Sequence, residues 1–235
     1  MDLKRPYLPL MQRMCASAKS VMPDCRTILL TQTPSRELTD TFDLTFELPP
    51  EGTAATLCRE RAIVTASWAY KMDRPCVFAD PDIEFRRPVP LDGDYDVGLL
   101  WRDRSDQPVN SGVVIAKPGC PNFWKHYGKI AINLPEQIWW WWCDQLAYSL
   151  LTGVNHKAGE VMQIDDARVA LLDANMNCPT PDEAGSDAWA VHYKGQLKGE
   201  GWDKVFVNKK VLPTKSRGFQ AVGKSGDGRS SEGSP

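Results

Sequence analysis

An α/β fold, with a mixed, mostly parallel sheet flanked by helices, is predicted for this chain by two observations. Short apolar runs of strand length, such as Cys76 to Phe78 and Gly112 to Lys117, alternate with longer segments of helical period, as in βαβ units. The chain's 235 residues, 42% hydrophobic and 25% charged, are also enough to enclose one sizeable core. A single domain over residues 1–214 is expected, followed by a disordered Gly/Ser-rich tail over 215–235.

The elements follow in order. Leu8, Met11, Met14, Cys15 and Ala18 fall near a period of about 3.6, so a helix opens the chain and Pro23 stops it. Thr27 to Thr31 reads as a strand, and Asp43 to Leu48 as a second one before Pro49 and Pro50. Good helix formers from Ala54 to Tyr70 lead through a turn at Asp73 to Pro75 into a buried strand at Cys76 to Phe78. The chain leaves the sheet at Arg86 to Pro90, because proline can neither continue a helix nor join an inner strand. Tyr95 to Trp101 and Gly112 to Lys117 are two more strands. Phe123 to Ile132 is a helix, and Pro135 to Leu151 another, with proline at its first position and Gly153 beyond its end. Met162 to Ile164, Val169 to Leu172, Ala188 to Tyr193 and Lys204 to Val207 have the composition of short strands.

A formal charge of −2 provides no general basic field, so nucleic acid is not indicated as a partner. Lys209, Lys210, Lys215 and Arg217 form a modest basic cluster that reads as a solvated linker. No membrane span or signal segment is visible, and a cytoplasmic location is expected. The seven cysteines are scattered without metal-finger spacing, and read as reduced thiols.

Four stretches can carry chemistry. Asp80 and Asp82 follow the Cys76 to Phe78 strand with one residue between them, and two such carboxylates can converge on a hard cation or simply cap a surface turn. Asp92, Asp94 and Asp96 repeat the spacing in a turn-like stretch and read as a solvated loop. Asn110, Ser111 and Gly112 form a polar turn entering a strand. Asp144 and Gln145 lie in or at the start of a helix, where they can hold sugar hydroxyls or face solvent. His192, Gly195 and Lys198 offer a metal ligand, a bare amide and a cation, a set suited to a metal-bound diphosphate.

FADPDIEF, VNSGVVIAKPG, CDQLAYSLL and VHYKGQLKG, in this order, resemble the nucleotide-sugar glycosyltransferases of the GT-A fold, particularly the glycogenin-like and galactosyltransferase-like branch. The resemblance spans roughly residues 25 to 200, and His192, Gly195 and Lys198 match the family's H-x-x-G-x-x-K spacing. It implies a metal-dependent transferase that uses Mn²⁺ or Mg²⁺ and a nucleotide-diphosphate sugar, UDP-sugar first, and it leans towards retention at the anomeric carbon. The acceptor and the oligomeric state stay open. By position, Asp80 would meet ribose and metal, while Asp82 and His192 would hold the metal. Lys198 and the Gly195 amide would meet the diphosphate. Asn110, Ser111 and Gly112 would line the donor-sugar site, and Asp144 with Gln145 would serve catalysis by binding or orienting the transferred sugar. Arg59 and Arg61 compete for the basic residue that the family places on the helix before the aspartate strand. The family's usual first strand is expected to be missing, since the chain starts almost at a helix. That departure leaves a catalytically silent nucleotide-sugar-binding protein as one alternative. A nucleotidyltransferase on a related fold is the other, although its glycine-rich basic segment is not visible.

Trp139 to Trp142 would sweep about 300 degrees on a helix, so at least one ring should be exposed or line a cleft. Stacking on an acceptor and a structural contact are both open readings for them. His126 and His156 read as surface or core residues.

Overall fold

The computed structural model describes residues 4–48, 56–103, 107–139, 142–181 and 183–193. Among them the chain starts with helix α1 (Lys4–Val21), strand β1 (Ile28–Thr31), a short helix α2 (Arg36–Thr41) and β2 (Leu44–Glu47). Sequence reading passed over α2, a single short helix whose N-terminus is capped by Ser35 accepting from the Leu38 amide. β1 and β2 pair in parallel, and Phe46 of β2 meets Trp68 edge to face at 4.9 Å.

Helix α3 (Leu57–Lys71) then leads to β3 (Cys76–Ala79), a three-residue β4 (Ile83–Phe85), β5 (Val97–Trp101) and β6 (Val109–Ala116). Helices α4 (Pro121–Asn133) and α5 (Cys143–Thr152) follow, then β7 (Val161–Ile164), β8 (Ala167–Asp173), the one-turn helix α6 (Ala174–Asn177) and β9 (Ala190–His192). The expected strand at Lys204 to Val207 and the expected tail lie outside the described residues.

The central sheet has the order β3-β6-β5-β8-β7. Strands β3, β5 and β8 run one way, and β6 and β7 run the other. The majority direction is the expected one, and the sheet is mixed and flanked by helices. Because β6 inserts between β3 and β5, however, only the β5–β8 ladder in this sheet is parallel. Its position also puts β3 at the edge of the hydrogen-bonded sheet, half-buried rather than fully buried as its apolar run suggested.

Each face of the sheet carries its own core. On one side Val114 and Ala116 of β6 join Ala62 and Ala66 of α3, Phe123 and Trp124 of α4, and Ala147 and Tyr148 of α5. On the other, Val113 and Ile115 join Ala18 of α1, Ile83 and Phe85 of β4, and Ala190 of β9. This is the strand alternation read in three layers, helices, sheet, and a mixed layer of α1 with the β4–β9 pair.

The single helix expected from Pro135 to Leu151 is two pieces. A 3-10 turn spans Glu136–Ile138, and α5 begins only after Trp142, which sits in the left-handed region at φ 65. Bulky residues rarely adopt that conformation, and it breaks the helical path at Trp142, immediately before α5. Among the described residues no helix is long and apolar enough to cross a membrane.

Asp43 fastens α1 to β1 and β2. Its carboxylate accepts from Lys19 Nζ at 2.6 Å and from the amide and hydroxyl of Thr27 at 2.7 and 2.8 Å. These bonds, that of Lys19 foremost, lower its pKa to about 2. A depressed carboxylate adds stability above its unfolded pKa of about 3.9, and that contribution fades as pH falls towards the folded value. Asp43→Asn is therefore expected to be less stable than wild type at pH 6, with the gap narrowing below about pH 4. Urea denaturation at pH 6, 4 and 3 measures it, and a gap that does not change with pH contradicts the assignment.

Candidate functional site

The site begins in the tight turn Asp80-Pro81-Asp82-Ile83, closed by the Ile83 amide donating to the Asp80 carbonyl at 3.2 Å. Proline suits the second position of such a turn because its φ is preset. The turn runs straight into β4, which pairs antiparallel with β9 so that Ile83 lies opposite His192. The Tyr193 amide donates to the Asp82 carbonyl at 3.0 Å and continues this ladder into the turn. Backbone pairing thus carries an imidazole from late in the chain to the two carboxylates. His192 Nε2 lies 3.2 Å from Asp82 Oδ1 and 3.6 Å from Asp80 Oδ2.

Each of the three residues offers one ligand atom to a group whose members lie within 4.8 Å of one another. Asp82 and His192 are 2% and 6% exposed. Two ligands on a small hard cation with bonds of about 2.1 Å stand about 3 Å apart, so this oxygen and nitrogen donor set fits Mn²⁺ or Mg²⁺. Without a cation the same geometry crowds two carboxylates against one imidazole.

Next to this cluster β6 is irregular. Leu99 of β5 is opposite Val114, yet Leu100 is opposite Asn110, so β6 bulges between them. Val113 and Ile115 face the β4–β9 layer and Val114 faces the helices, but an ideal Cβ on Gly112 would point at His192, on the same side as Val113. Beyond the bulge the alternation is inverted. Ser111 reaches the helix side, where its Oγ donates to Asp144 Oδ2 at 2.7 Å. A β-bulge re-aims side chains in this way. It corrects the expected polar turn, since Asn110, Ser111 and Gly112 lie inside a fully buried strand.

Arg61, in the middle of α3, ties the pieces together. Its Nη1 lies 2.6 Å from Asp80 Oδ1 and 3.4 Å from Asp144 Oδ2, and Nη2 donates to the Ser111 carbonyl at 2.6 Å. Burial opposes the charge on this guanidinium, but Asp80 and then Asp144 more than offset it, and its pKa is raised. Asp80 itself is raised by burial, against the pull of Arg61 and His192. Behind Arg61 the wall includes Phe78, Val114 and the stacked rings of Tyr127 and Tyr148, 3.9 Å apart. Burial also raises the pKa of both phenols, so they stay protonated.

Asp80, Asp82 and His192 therefore meet, and Ser111, Gly112, Asn110 and Asp144 adjoin them. Gln145 is held differently: its side-chain oxygen accepts from Arg102 Nη2 at 2.7 Å, and Arg102 also binds the Val109 carbonyl. Gly195, Lys198, Trp140 and Trp141 lie outside the described residues. Of the two arginines left open, Arg61 joins the site, while Arg59 stacks on Trp139 at 4.3 Å. Asp96 accepts from the Arg168 amide at 2.7 Å and Asp94 pairs with the Arg168 side chain, so they anchor their loop to β8. His126 and His156 pair with Asp165 and Glu160 away from the cluster.

No protein family matches the sequence, and no curated protein does. In three dimensions the chain is similar to a crystal structure of a glycosyltransferase involved in the glycosylation of the major capsid of PBCV-1. The TM-score is 0.50 at 14% identity, over 84% of this chain and 92% of that one. The chain has a glycosyltransferase-like α/β fold.

Proposed function

We propose that this protein is a metal-dependent glycosyltransferase that moves a sugar from a nucleotide-diphosphate sugar, UDP-sugar first, to an acceptor hydroxyl with retention. The observation that carries the reading is the meeting of Asp80, Asp82 and His192 beside the Arg61-bridged carboxylate of Asp144. The glycosyltransferase-like fold supports it.

In this reading Asp80, Asp82 and His192 hold Mn²⁺ or Mg²⁺. The ion supplies positive charge for the departing diphosphate. Arg61 holds Asp80 and Asp144 in place without occupying the second oxygen of Asp80, which faces His192. Asp144, braced by Ser111 Oγ and by the Gln145 amide at 2.9 Å, is a preset acceptor for donor-sugar hydroxyls. The oxygen of Gln145 is engaged by Arg102, which leaves its amide N–H groups as the part able to meet a sugar. Lys198 and the Gly195 amide are assigned to the diphosphate on the H-x-x-G-x-x-K spacing. The domain is taken as residues 1–214, with 215–235 as its tail.

A panel of nucleotide sugars incubated with the full chain, with Mn²⁺ or with EDTA, tests this. Metal-dependent release of UDP from at least one UDP-sugar is expected. Metal-dependent UDP binding without turnover of any sugar would make the protein a silent binder. Binding of nucleoside triphosphates alone would make it a nucleotidyltransferase.

A further inference from the structure

We infer that Asn110 and Gly112 serve the His192 imidazole: Gly112 seats the ring, and the Asn110 side-chain oxygen accepts from Nδ1–H so that Nε2 is left bare towards Asp80 and Asp82. This rests on the metal reading proposed above, and it gives both residues work other than lining a sugar site.

Three observations converge. First, the ring is packed against bare backbone. A Cβ on Gly112 would lie 2.7 Å from His192 Cε1 and 2.9 Å from Nδ1, closer than any side chain tolerates. The nearest atoms belong to a ring held at 6% exposure within a β ladder, which has little room to yield. Second, the same point is 3.1 Å from Asn110 Oδ1, so that oxygen and the ring nitrogen border one small space. Third, both side chains carry an unanswered polar atom. His192 Nδ1 and Asn110 Nδ2 are buried with no hydrogen-bond partner among the described residues, and Asn110 is only 4% exposed.

Buried polar atoms are ordinarily satisfied, and the acceptor that borders the space beside the unpartnered Nδ1 is Asn110 Oδ1. Asn110 Oδ1 already accepts from the Gly112 amide at 3.1 Å, but a side-chain carbonyl has a second lone pair. Rotation of the Asn110 amide, rather than of the confined ring, would bring that lone pair onto Nδ1–H. A histidine that ligates a metal through one nitrogen usually donates from the other to a fixed acceptor, which sets tautomer and ring orientation. The β6 bulge supplies the means, because inverted alternation turns residues 110 and 112 to the His192 side while Ser111 goes to Asp144.

Mn²⁺ binding to the full chain, followed by electron paramagnetic resonance, tests the inference through affinity rather than turnover. Asn110→Ala and Gly112→Ala are each expected to weaken Mn²⁺ binding by about 10- to 100-fold, the usual cost of losing such an outer partner. Asn110→Asp, which keeps an acceptor at the same place, should bind at least as tightly as wild type. In the Mg²⁺-loaded wild type, the Nδ1 proton of His192 should appear in proton NMR as a downfield, slowly exchanging signal. Wild-type affinity in both alanine variants, with His192→Ala impaired, overturns this inference and leaves the metal site standing. Wild-type affinity in His192→Ala removes the metal site and the inference together. Should Asn110→Ala fail to fold, the wild-type spectrum decides, and a rapidly exchanging or absent Nδ1 proton overturns the assignment.

Discussion

Asp82→Asn is expected to lower metal-dependent donor hydrolysis by about a hundred- to a thousandfold, the scale of losing one preorganised electrostatic group, and to leave the fold intact. The substitution keeps shape and volume at a position only 2% exposed, and it removes one negative charge from the cluster around His192 Nε2. The hydrogen bonds that build the turn use the backbone of Asp80, Asp82, Ile83 and Tyr193, so they survive. In metal-free protein, removing one of two crowded carboxylates relieves repulsion. The melting temperature of apo Asp82→Asn should therefore match or exceed that of apo wild type. Added Mn²⁺ stabilises any native state that binds it, in proportion to affinity. Wild type should thus melt higher with Mn²⁺, and the variant should not. His192→Ala is expected to behave alike in activity and in the lost Mn²⁺ response. Calorimetric scans with and without Mn²⁺, alongside donor hydrolysis, measure both effects. Retained hydrolysis together with a retained Mn²⁺ shift in both variants would sink the metal assignment.

The local chemistry of this site was legible in the sequence, and the way it is assembled was less so. The Asp80 and Asp82 pair and His192 each have a bland reading alone, and they stood out because FADPDIEF, VNSGVVIAKPG, CDQLAYSLL and VHYKGQLKG follow one another in the order of a known family. What joins them is β4, a strand of three residues after a proline turn. Its apolar content is too short to show a period, and its role depends on a partner more than a hundred residues away. The bulge in β6 was hidden for a different reason. NSGVVIA reads as polar turn then strand because alternation assumes one pleat, whereas the chain breaks parity between Gly112 and Val113. Polar residues in a buried strand looked like loop residues until their partners, Asp144 and His192, were in place. The expected helix from Pro135 to Leu151 does not run through Trp142, because local propensity says nothing of the left-handed conformation with which that residue leads into α5. Arg61 against Arg59 was a matter of two positions on α3, about 200 degrees around the helix, and only packing decides which of them faces the sheet.

Arg61→Leu should cost about 2–3 kcal/mol of folding stability. One guanidinium links four elements, α3, the turn after β3, the bulged β6 and the start of α5. Deleting one partner of a buried ion pair costs about 3–5 kcal/mol, because a desolvated charge is left behind. The Arg61 side chain keeps 32% exposure and that of Asp80 25%, so screening by solvent brings the figure down. Asp144 is the more severely stranded partner, since its side chain is 4% exposed and, among the described residues, retains Ser111 Oγ and the Gln145 amide. The deficit should therefore be partly repaired by Asp144→Asn in the same chain, an interaction that a double-mutant cycle in urea isolates. Arg61→Lys should fall between, because an ammonium keeps the charge but lacks the planar fork needed to address Asp80, Asp144 and the Ser111 carbonyl together. If Arg61→Leu lies within about 0.5 kcal/mol of wild type, the range of ordinary surface substitutions, the guanidinium is not the link that holds these carboxylates in place.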